Sequence, residues 1–412
     1  VCALMFSPYI QEAEKIDILD PHYYETAGWF YNNADVYDKL PDDIPYKIYV
    51  GEYAAIGRPS LYSSLAEAAY LTGVERNADK VQMVSYAPLI ENAAHGKDHL
   101  LVLKNDSVYG RTNYYVLKMF SENRPDVNLH TDLKPASPEP VFRTNGFIGL
   151  GTNNTEAQFK DLKVIVNGEE IYTSGWSDFV DKWTIIRGDW KTEGSLLSQS
   201  QKGIDALAIL EDREFDNCTI ELKAKKISGT EGFRIVFGGT DSNNYFMADI
   251  GSHTNESVIF REVNNEGSIS LFDYRNTASI KTDQWYTVRI EIEGAHWKCF
   301  LNDELQYEYT YAPKKKHYVV SGYDRERKEV IVKLVNAEAG NWKVRLQLDK
   351  AKNLASKGTK IVLGADDRFD ENSFSDPLKI VPKVTELSGI SNEFTIDCQA
   401  NSLTVLRIPC EK

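Results

Sequence analysis

The spacing of the apolar residues changes once along this chain, at a proline-rich stretch between residues 131 and 142. Before that stretch, short apolar runs alternate with segments whose apolar residues recur at helical spacing. After it, apolar and polar residues alternate with a period of two, as in half-buried strands. Since each pattern belongs to a different kind of layer packing, the chain is expected to hold an α/β part followed by all-β domains.

The first part reads as three strand–helix units. Strand-like runs lie at residues 16–20, 48–50 and 81–84, and helical spacing is found at residues 29–40, from about Ser60 to Leu71, and at 114–120. The turn patterns typical of hairpins are missing between these runs, so the strands are predicted to be parallel.

A closed (β/α)8 barrel takes about 250 residues and eight such units. Residues 1–130 are therefore predicted to be the last three βα units of a barrel whose other units lie upstream. The alternative is a small α/β domain with three strands, complete in itself, which would leave strand edges open.

The all-β part is predicted to form two sandwiches. Residues 131–142 are interpreted as a linker, residues 143–312 as the first sandwich and residues 313–412 as the second. Short strands with turn signals between them support this interpretation, including an Asn167-Gly168 hairpin turn. The expected fold is thus a partial TIM barrel followed by two β-sandwiches.

Composition narrows the range of partners. Lys and Arg number 47 against 61 Asp and Glu, a formal net charge of −14, which argues against nucleic-acid or anionic-membrane partners. The 5 cysteines are scattered and form no CxxC pair or Cys/His cluster, so neither a metal nor another cofactor is expected. Residues 1–6 lack the features of a signal peptide, and no run is long enough to span a membrane.

Glu52 is the strongest candidate for a catalytic residue. The apolar run at residues 48–50 is followed by Gly51, so the strand is expected to end there and to display the carboxylate at its C-terminal edge. Parallel barrels carry their active sites at that edge. Because side chains alternate along a strand, we expect Ile48, Val50 and Glu52 to share one face.

In the preceding unit Asp20, His22 and Tyr24 are expected to share a face. If that face and Glu52 meet, a phenol can hydrogen-bond the carboxylate and fix its rotamer. The plainer alternatives are that Glu52 is a loop residue or a partner of the next helix, that His22 is a packed histidine, and that Tyr24 only forms a wall.

Several motifs occur together and in order. They are Asp20-Pro21-His22-Tyr23-Tyr24, Val50-Gly51-Glu52-Tyr53-Ala54, Ala66-Glu67-Ala68-Ala69, Ser85-Tyr86-Ala87-Pro88-Leu89, Asp370-Glu371-Asn372-Ser373-Phe374 and Ser402-Leu403-Thr404-Val405-Leu406. Together they resemble the second half of the catalytic barrel and the C-terminal β-sandwich of glycoside hydrolase family 51, the α-L-arabinofuranosidases. The resemblance covers about residues 16–125 and 318–408.

The resemblance implies a retaining mechanism with Glu52 as nucleophile and with His22 and Tyr24 lining the substrate subsite. It also implies a general acid/base Glu after an Asn on an earlier strand, for which this chain has no position. The pairs Asn255-Glu256, Asn265-Glu266 and Asn392-Glu393 lie in the β-rich regions and are not assigned that role. This chain alone is therefore expected to be inactive.

Two departures from the family pattern leave the exact substrate open. Residues 94–100 replace a segment that usually carries Trp and Pro-Asp, and Leu117 stands where a Gln is common. The expected partners are arabinan, arabinoxylan or arabino-oligosaccharides, with a homo-oligomer and a secreted or periplasmic location favoured. A related retaining β-glycanase stays as an alternative.

The middle sandwich resembles concanavalin- or laminin-G-like modules, on residues 146–152, 183–190 and 284–288. It is interpreted either as a carbohydrate-binding module or as a spacer. Trp183, Trp190 and Trp285 are the candidate stacking residues, although burial is the default for a tryptophan in a strand. A non-catalytic, glycan-binding role for the whole chain is the second function considered.

Overall fold

The computed structural model describes residues 2–3, 16–95, 100–135, 142–264, 267–271, 278–313, 315–349 and 351–410. The chain folds as two compact units, one made of residues 1–137 with 314–412 and the other of residues 138–313. Strands predominate in both units, and the described helices are few.

The first unit opens with an α/β layer. Its elements are β1 (Cys2–Ala3), β2 (Ile18–Leu19), β3 (His22–Thr26), α1 (Ala27–Asn32), β4 (Lys47–Ile56), α2 (Leu61–Arg76), β5 (Val81–Tyr86), β6 (Ile90–Asn92), β7 (Leu101–Lys104), β8 (Ser107–Gly110), α3 (Thr112–Glu122) and β9 (Val127–Leu129). Strands β1, β2, β3, β4 and β5 form a sheet in which every pairing is parallel, as predicted. Strands β2 and β3 follow one edge of β4, and β5 follows the other.

The predicted helix over residues 29–40 is wrong in extent. Helix α1 ends at Asn32, and a short 3-10 turn covers Val36–Lys39. Asn33 is the C-cap of α1: its backbone N–H makes the last helical bond to the carbonyl of Trp29, and its side-chain amide donates to the same oxygen. An Asn that bonds the backbone in this way competes with the continuing helix.

Helix α2 is buried on nearly all sides, from Leu61 to Gly73. The apolar spacing predicted a helix from about Ser60 to Leu71, but it did not reveal that the helix is buried all round. One side of the helix packs on the parallel sheet, and another packs on residues of the C-terminal sheet, among them Tyr318 and Val335. A helix between two layers needs small apolar residues all round, and Ala66, Ala68 and Ala69 supply them.

The second unit is a β-sandwich with two short helical turns. Its elements are β10 (Asn145–Asn153), β11 (Thr155–Val166), β12 (Glu169–Ser174), α4 (Phe179–Lys182), β13 (Trp183–Arg187), β14 (Trp190–Glu193), β15 (Leu196–Gln199), β16 (Asp205–Asp216), β17 (Cys218–Gly229), β18 (Phe233–Asp241), β19 (Asn244–Gly251), α5 (Ser252–Asn255), β20 (Ser257–Asn264), β21 (Gly267–Leu271), β22 (Trp285–Glu293), β23 (His296–Leu301) and β24 (Glu304–Thr310). The order β13-β16-β10-β18-β19-β20-β21 forms one antiparallel sheet. The order β14-β15-β11-β17-β22-β23-β24 forms the other, with β12 paired to β11 through the predicted Asn167-Gly168 turn.

A buried ion network lies in the second unit, on the sheet that contains β18 and β19. Asp249 is 1% exposed, and its carboxylate accepts from Arg234 Nε at 3.2 Å and from Arg261 Nε at 2.6 Å. Burial opposes ionisation, but the two guanidinium groups outweigh it and lower the pKa of Asp249. The pair of cations therefore keeps this carboxylate charged inside the fold.

The C-terminal part completes the first unit. Its strands are β25 (His317–Asp324), β26 (Glu329–Asn336), β27 (Trp342–Gln347), β28 (Lys357–Gly364), β29 (Lys383–Ser388), β30 (Glu393–Cys398) and β31 (Ser402–Pro409). One sheet has the order β29-β28-β31-β26-β25-β9, and β27 pairs with β30. Residues 136–141 of the predicted linker lie outside the described residues, whereas β9, just before it, pairs with β25.

One buried ion pair joins α2 to the C-terminal sheet. The side chain of Lys333 on β26 is 0% exposed, and its Nζ lies 2.6 Å from each carboxylate oxygen of Glu75. Burial raises the pKa of Glu75 and lowers that of Lys333, in each case against the opposing effect of the partner's charge. This pair anchors the C-terminal end of the helix that supports the parallel sheet.

Candidate active site

The carboxylate of Glu52 lies on the open face of the parallel sheet, the face opposite α1 and α2. A β-bulge in β4 places it there. Leu19 pairs with Ile48 and His22 pairs with Glu52, so residues 49–51 of β4 lie opposite only residues 20–21 of the neighbouring strand. The register against β5 also shifts between Val50 and Tyr53.

The bulge overturns two expectations about β4. The strand does not end at Gly51 but continues to Ile56. Ile48 and Val50 are buried in the core cluster that contains α2, whereas Glu52 points to the open face, so these three side chains do not share one face. An extra residue in a strand reverses the alternation beyond it, and this is why the simple two-residue period failed.

Three side chains of the preceding strand segment lie on the expected common face, and two of them contact the Glu52 carboxylate. Tyr24 Oη donates to Glu52 Oε2 at 2.5 Å, the hydrogen bond expected from the sequence. His22 Nδ1 lies 3.6 Å from the same oxygen, and His22 Nε2 lies 3.4 Å from Asp20 Oδ1. The arrangement is a carboxylate held between a phenol and an imidazole, with a second carboxylate behind the imidazole.

The electrostatics of Tyr24 suit a hydrogen-bond donor. Desolvation, followed by the hydrogen bond to Glu52 and the charge of that residue, raises the pKa of Tyr24 to about 12. The phenol therefore stays protonated throughout the neutral range and can donate to an ionised carboxylate. Because the Glu52 side chain is 41% exposed, an approaching substrate can reach it.

The C-terminal end of β4 is held from the helix side by a buried carboxylate that sequence reasoning did not single out. Glu67 on α2 is 1% exposed and accepts from Ala55 N at 2.8 Å and from Tyr86 Oη at 3.3 Å. Asn113 on α3 donates in turn to Tyr86. A Glu flanked by alanines in the buried middle of α2 was the available signal.

The Asp370-Glu371-Asn372 motif accepts hydrogen bonds from the N-terminal turns of α2 and α3, which is a structural role. Glu371 accepts from Thr112 N at 2.8 Å and from Thr112 Oγ1 at 2.9 Å, at the first turn of α3. The carbonyl of Asp370 accepts from Leu61 N at the start of α2. Free N–H groups of both helices are thereby satisfied by one loop, which fixes the helices that support the site.

Two of the three Asn-Glu pairs noted in the sequence fall on described residues outside the parallel sheet. Glu393 pairs with Arg345 at 2.7 Å across β27 and β30, and the Asn255-Glu256 pair lies at α5 in the second unit. The Asn265-Glu266 pair and residues 96–99 lie outside the described residues. Within the described parts of the chain, no three His, Cys, Asp or Glu side chains gather as a metal-ligand set.

Two of the three candidate tryptophans of the second unit are excluded from sugar stacking. Trp183 and Trp190 are each 6% exposed and belong to the sandwich core. Trp285 is half-buried on the eight-stranded sheet, with Lys160 Nζ 4.4 Å and Lys225 Nζ 5.0 Å from its ring centroid. Trp285 is therefore the one of the three that solvent can reach.

Comparison with known families identifies the class of protein. The family model described as the α-L-arabinofuranosidase C-terminal domain matches residues 51–402. The chain therefore belongs to this α-L-arabinofuranosidase family. The part of that family to which its residues 51–402 correspond is the C-terminal domain.

The similar curated proteins are longer than this chain. It is 29% identical over 400 residues to an extracellular exo-α-L-arabinofuranosidase of Streptomyces chartreusis, and the match covers 96% of the chain and 48% of that protein. α-L-Arabinofuranosidase 1 of Arabidopsis thaliana is 30% identical over 213 residues, which cover 48% of the chain and 31% of that protein. The chain thus spans about half the length of its relatives, or less.

One solved structure supports the fold. An arabinose-bound family 51 α-L-arabinofuranosidase superposes with a TM-score of 0.51 at 16% identity, covering all of this chain and 40% of that one. At this identity the likeness concerns the fold alone.

Among the described helices, none has the length and apolar character that crossing a bilayer requires.

Proposed function

We propose that Glu52 is the nucleophile of a retaining α-L-arabinofuranosidase. The observation that carries the proposal is the 2.5 Å hydrogen bond from Tyr24 to a carboxylate that faces solvent on the open face of the parallel sheet. A nucleophilic carboxylate must be fixed in one rotamer and reachable by the substrate, and the hydrogen bond from Tyr24 and the exposure of Glu52 support both requirements.

In the proposed reaction a Glu52 oxygen attacks the anomeric carbon of an arabinofuranosyl unit, and the bond to the leaving-group oxygen breaks. The product is a covalent glycosyl ester of Glu52, which water hydrolyses in a second step to regenerate the carboxylate. Tyr24 would hold the attacking carboxylate in place. His22, on the other side of the same oxygen, would line the subsite and contact the sugar.

We further propose that the parallel sheet is the last part of a (β/α)8 barrel and that the general acid/base lies upstream of residue 1. A retaining enzyme needs a second carboxyl group about 5 Å from the nucleophile. The chain corresponds to 48% of its Streptomyces relative, which leaves room for the other barrel units. The domain division proposed remains 1–130, 131–142, 143–312 and 313–412, and this chain alone would be inactive on unactivated substrates.

The proposed substrates are arabinan, arabinoxylan and arabino-oligosaccharides, from which terminal α-L-arabinofuranosyl units would be removed. The names of the matched relatives support this substrate class, and the word extracellular in one of them supports secretion. A homo-oligomer is part of the same proposal.

The test uses the extended protein, meaning this chain joined to the segment encoded upstream of it. Turnover of 4-nitrophenyl α-L-arabinofuranoside should fall roughly 1000-fold or more in Glu52→Gln, because the amide is a far weaker nucleophile. A Glu25→Gln variant is the control, since Glu25 lies on β3 and no described contact joins it to Glu52. Full turnover by Glu52→Gln would refute the assignment, and product profiles on xylan and β-glucan would reveal a β-glycanase.

Glycan binding by the second unit is the second candidate function, and the position of Trp285 favours it. A half-exposed indole on a sheet face can stack on a sugar ring. The ammonium groups of Lys160 and Lys225 lie over this ring, 4.4 and 5.0 Å from its centroid, and neither has a carboxylate partner among the described residues. Their ammonium groups could donate hydrogen bonds to sugar hydroxyls.

Isothermal titration of the whole chain with arabinan oligosaccharides tests this role. Trp285→Ala should weaken binding at least tenfold, whereas Phe300→Ala, a truncated aromatic residue on the neighbouring strand β23, should leave it unchanged. Equal heats for the wild type and Trp285→Ala would exclude this surface as the binding site.

A further inference from the structure

We propose that Asp20 is a positioning residue that holds the β4 bulge and thereby aims Glu52 at the open face. The inference rests on the proposed role of Glu52 and adds a residue to it. Asp20 would not touch the reacting atoms. It would act through the backbone of the residue that precedes the nucleophile.

The bulge needs a hydrogen-bond acceptor that the sheet does not supply. Where two strands are out of step, the extra residue drops out of the ladder and its N–H loses its normal partner. Here residues 49–51 face only residues 20–21, and Gly51 N donates to Asp20 Oδ1 at 2.8 Å. The carboxylate of Asp20 therefore replaces the missing ladder acceptor.

The fit between Asp20 and Gly51 is specific to these two residues. A Cβ added at Gly51 would lie 2.3 Å from Asp20 Oδ1, closer than any real contact. The carboxylate thus occupies the space where another residue would place its side chain. The Asp20 side chain is 19% exposed and forms part of the layer beneath the open face.

The geometry joins this contact directly to the candidate nucleophile. Glu52 follows Gly51, so the hydrogen bond to Asp20 fixes the peptide between Val50 and Gly51, one residue before the Cα that carries the Glu52 side chain. If the strand lost the bulge, the alternation of side chains would turn Glu52 toward α2. Tyr24 could then no longer reach it.

A competing role for Asp20 is purely electrostatic, since its Oδ1 also lies 3.4 Å from His22 Nε2. The two roles make different demands on the side chain. Holding the bulge needs an oxygen acceptor, which an amide also has. Acting on His22 through charge needs a carboxylate.

Steady-state kinetics of the extended protein on 4-nitrophenyl α-L-arabinofuranoside separate the roles. We expect Asp20→Ala to lower kcat at least tenfold with KM within about threefold of the wild type, and Asp20→Asn to retain at least a third of wild-type kcat. Wild-type kcat in Asp20→Ala would overturn the proposal. A loss in Asp20→Asn as large as that in Asp20→Ala would also overturn it, because charge rather than bulge geometry would then matter.

Azide rescue tests the positioning role independently. In Glu52→Ala, azide can attack the anomeric carbon in place of the carboxylate, releasing 4-nitrophenolate and forming the glycosyl azide. Because the Glu52 carboxylate is absent from this variant, its positioning by Asp20 no longer affects the rate. We expect Asp20→Ala/Glu52→Ala to be rescued at the same rate as Glu52→Ala, and a rate lowered tenfold by the second substitution would mean that Asp20 supports the whole fold instead.

The outcomes distinguish this inference from the proposed function. If Glu52→Gln keeps full turnover, the nucleophile assignment fails whatever Asp20 does. If Glu52→Gln is inactive while Asp20→Ala is fully active, only the positioning role fails. Should Asp20→Ala not fold, the comparison of Asp20→Asn with the wild type still decides, because a kcat below a tenth of the wild-type value contradicts the proposal.

Discussion

Replacing Tyr24 by Phe removes one hydroxyl and, with it, the shortest contact to the Glu52 carboxylate, 2.5 Å long. A hydrogen bond to a charged acceptor contributes about 1.5–3 kcal/mol. The Tyr24 residue is 42% exposed and the Glu52 side chain 41%, so water screens the interaction and the lower end applies. About 1.5 kcal/mol corresponds to a loss of roughly tenfold in rate.

The expected result is therefore a kcat/KM about tenfold below that of the wild-type extended protein, measured with 4-nitrophenyl α-L-arabinofuranoside. The matched control is Tyr49→Phe, which removes a hydroxyl that bonds Ser85 Oγ at 2.9 Å on the same sheet but makes no described contact with Glu52. A Tyr24→Phe enzyme with kcat/KM within twofold of the wild type would refute the claim that this phenol fixes the nucleophile.

The pH dependence gives a second check of the same residue. The pKa of Tyr24 is raised to about 12, so the phenol remains a donor well above neutral pH. Below about pH 10 the ratio of wild-type to Tyr24→Phe activity should stay constant, because the phenol hardly ionises in that range. A ratio that collapses between pH 7 and 9 would show that Tyr24 titrates there and would contradict the structure.

Two further predictions concern the stability of the whole chain in urea unfolding. Lys333→Met should lower the free energy of unfolding by about 3–5 kcal/mol because it leaves the Glu75 carboxylate buried without its cation, whereas Lys333→Met/Glu75→Leu should recover most of that loss; no recovery would contradict the pairing. Asp249→Asn should also cost about 3–5 kcal/mol at pH 7, because Arg234 and Arg261 lose their shared anion. Since the pKa of Asp249 is lowered by folding, its contribution is present above its unfolded pKa of about 4 and is lost as pH falls through the lower folded pKa. The gap between wild type and variant should therefore narrow below pH 4, and a gap that widens there would be inconsistent with this ion network.

Local patterns in the sequence predicted the elements that carry the site. The parallel strands at residues 18–19, 47–56 and 81–86, helix α3 and the Asn167-Gly168 turn depend on residues close together in the chain, and all were predicted, whereas β1 and β3 were not. The hydrogen bond from Tyr24 to Glu52 was expected only if the face of His22 and Tyr24 met Glu52. In the structure His22 is the register partner of Glu52, and Tyr24 donates to it from two residues further along the same strand. The family assignment depended on several motifs in order rather than on any single residue.

The features that were missed depend on contacts between distant segments. The bulge at Gly51 is a property of two strands out of step, and a single strand read with a period of two cannot reveal it. The burial of α2 on all sides requires knowing that a C-terminal sheet covers it. The role of Glu67 similarly depends on Ala55 and Tyr86, which the helix sequence alone does not bring near it.

The tryptophans of the second unit illustrate the limit of composition as evidence. Trp183 and Trp190 lie in strand-like runs and are buried, as the default for such positions predicts, whereas Trp285 lies in a similar run and is half-exposed. What separates them is the face of the sheet on which each ring lies. The strand register determines the face on which each ring lies, and neither composition nor residue spacing predicts the register.

Covalent trapping tests the central claim most directly. The extended protein is incubated with an activated 2-deoxy-2-fluoro-arabinofuranoside, which slows hydrolysis of a glycosyl-enzyme, and the labelled residue is located by peptide mass spectrometry. The account predicts one fluoroglycosyl group, bonded as an ester to Glu52 and missing from Glu52→Gln. A label on another residue of an enzyme that turns over the unmodified substrate would show that Glu52 is not the nucleophile.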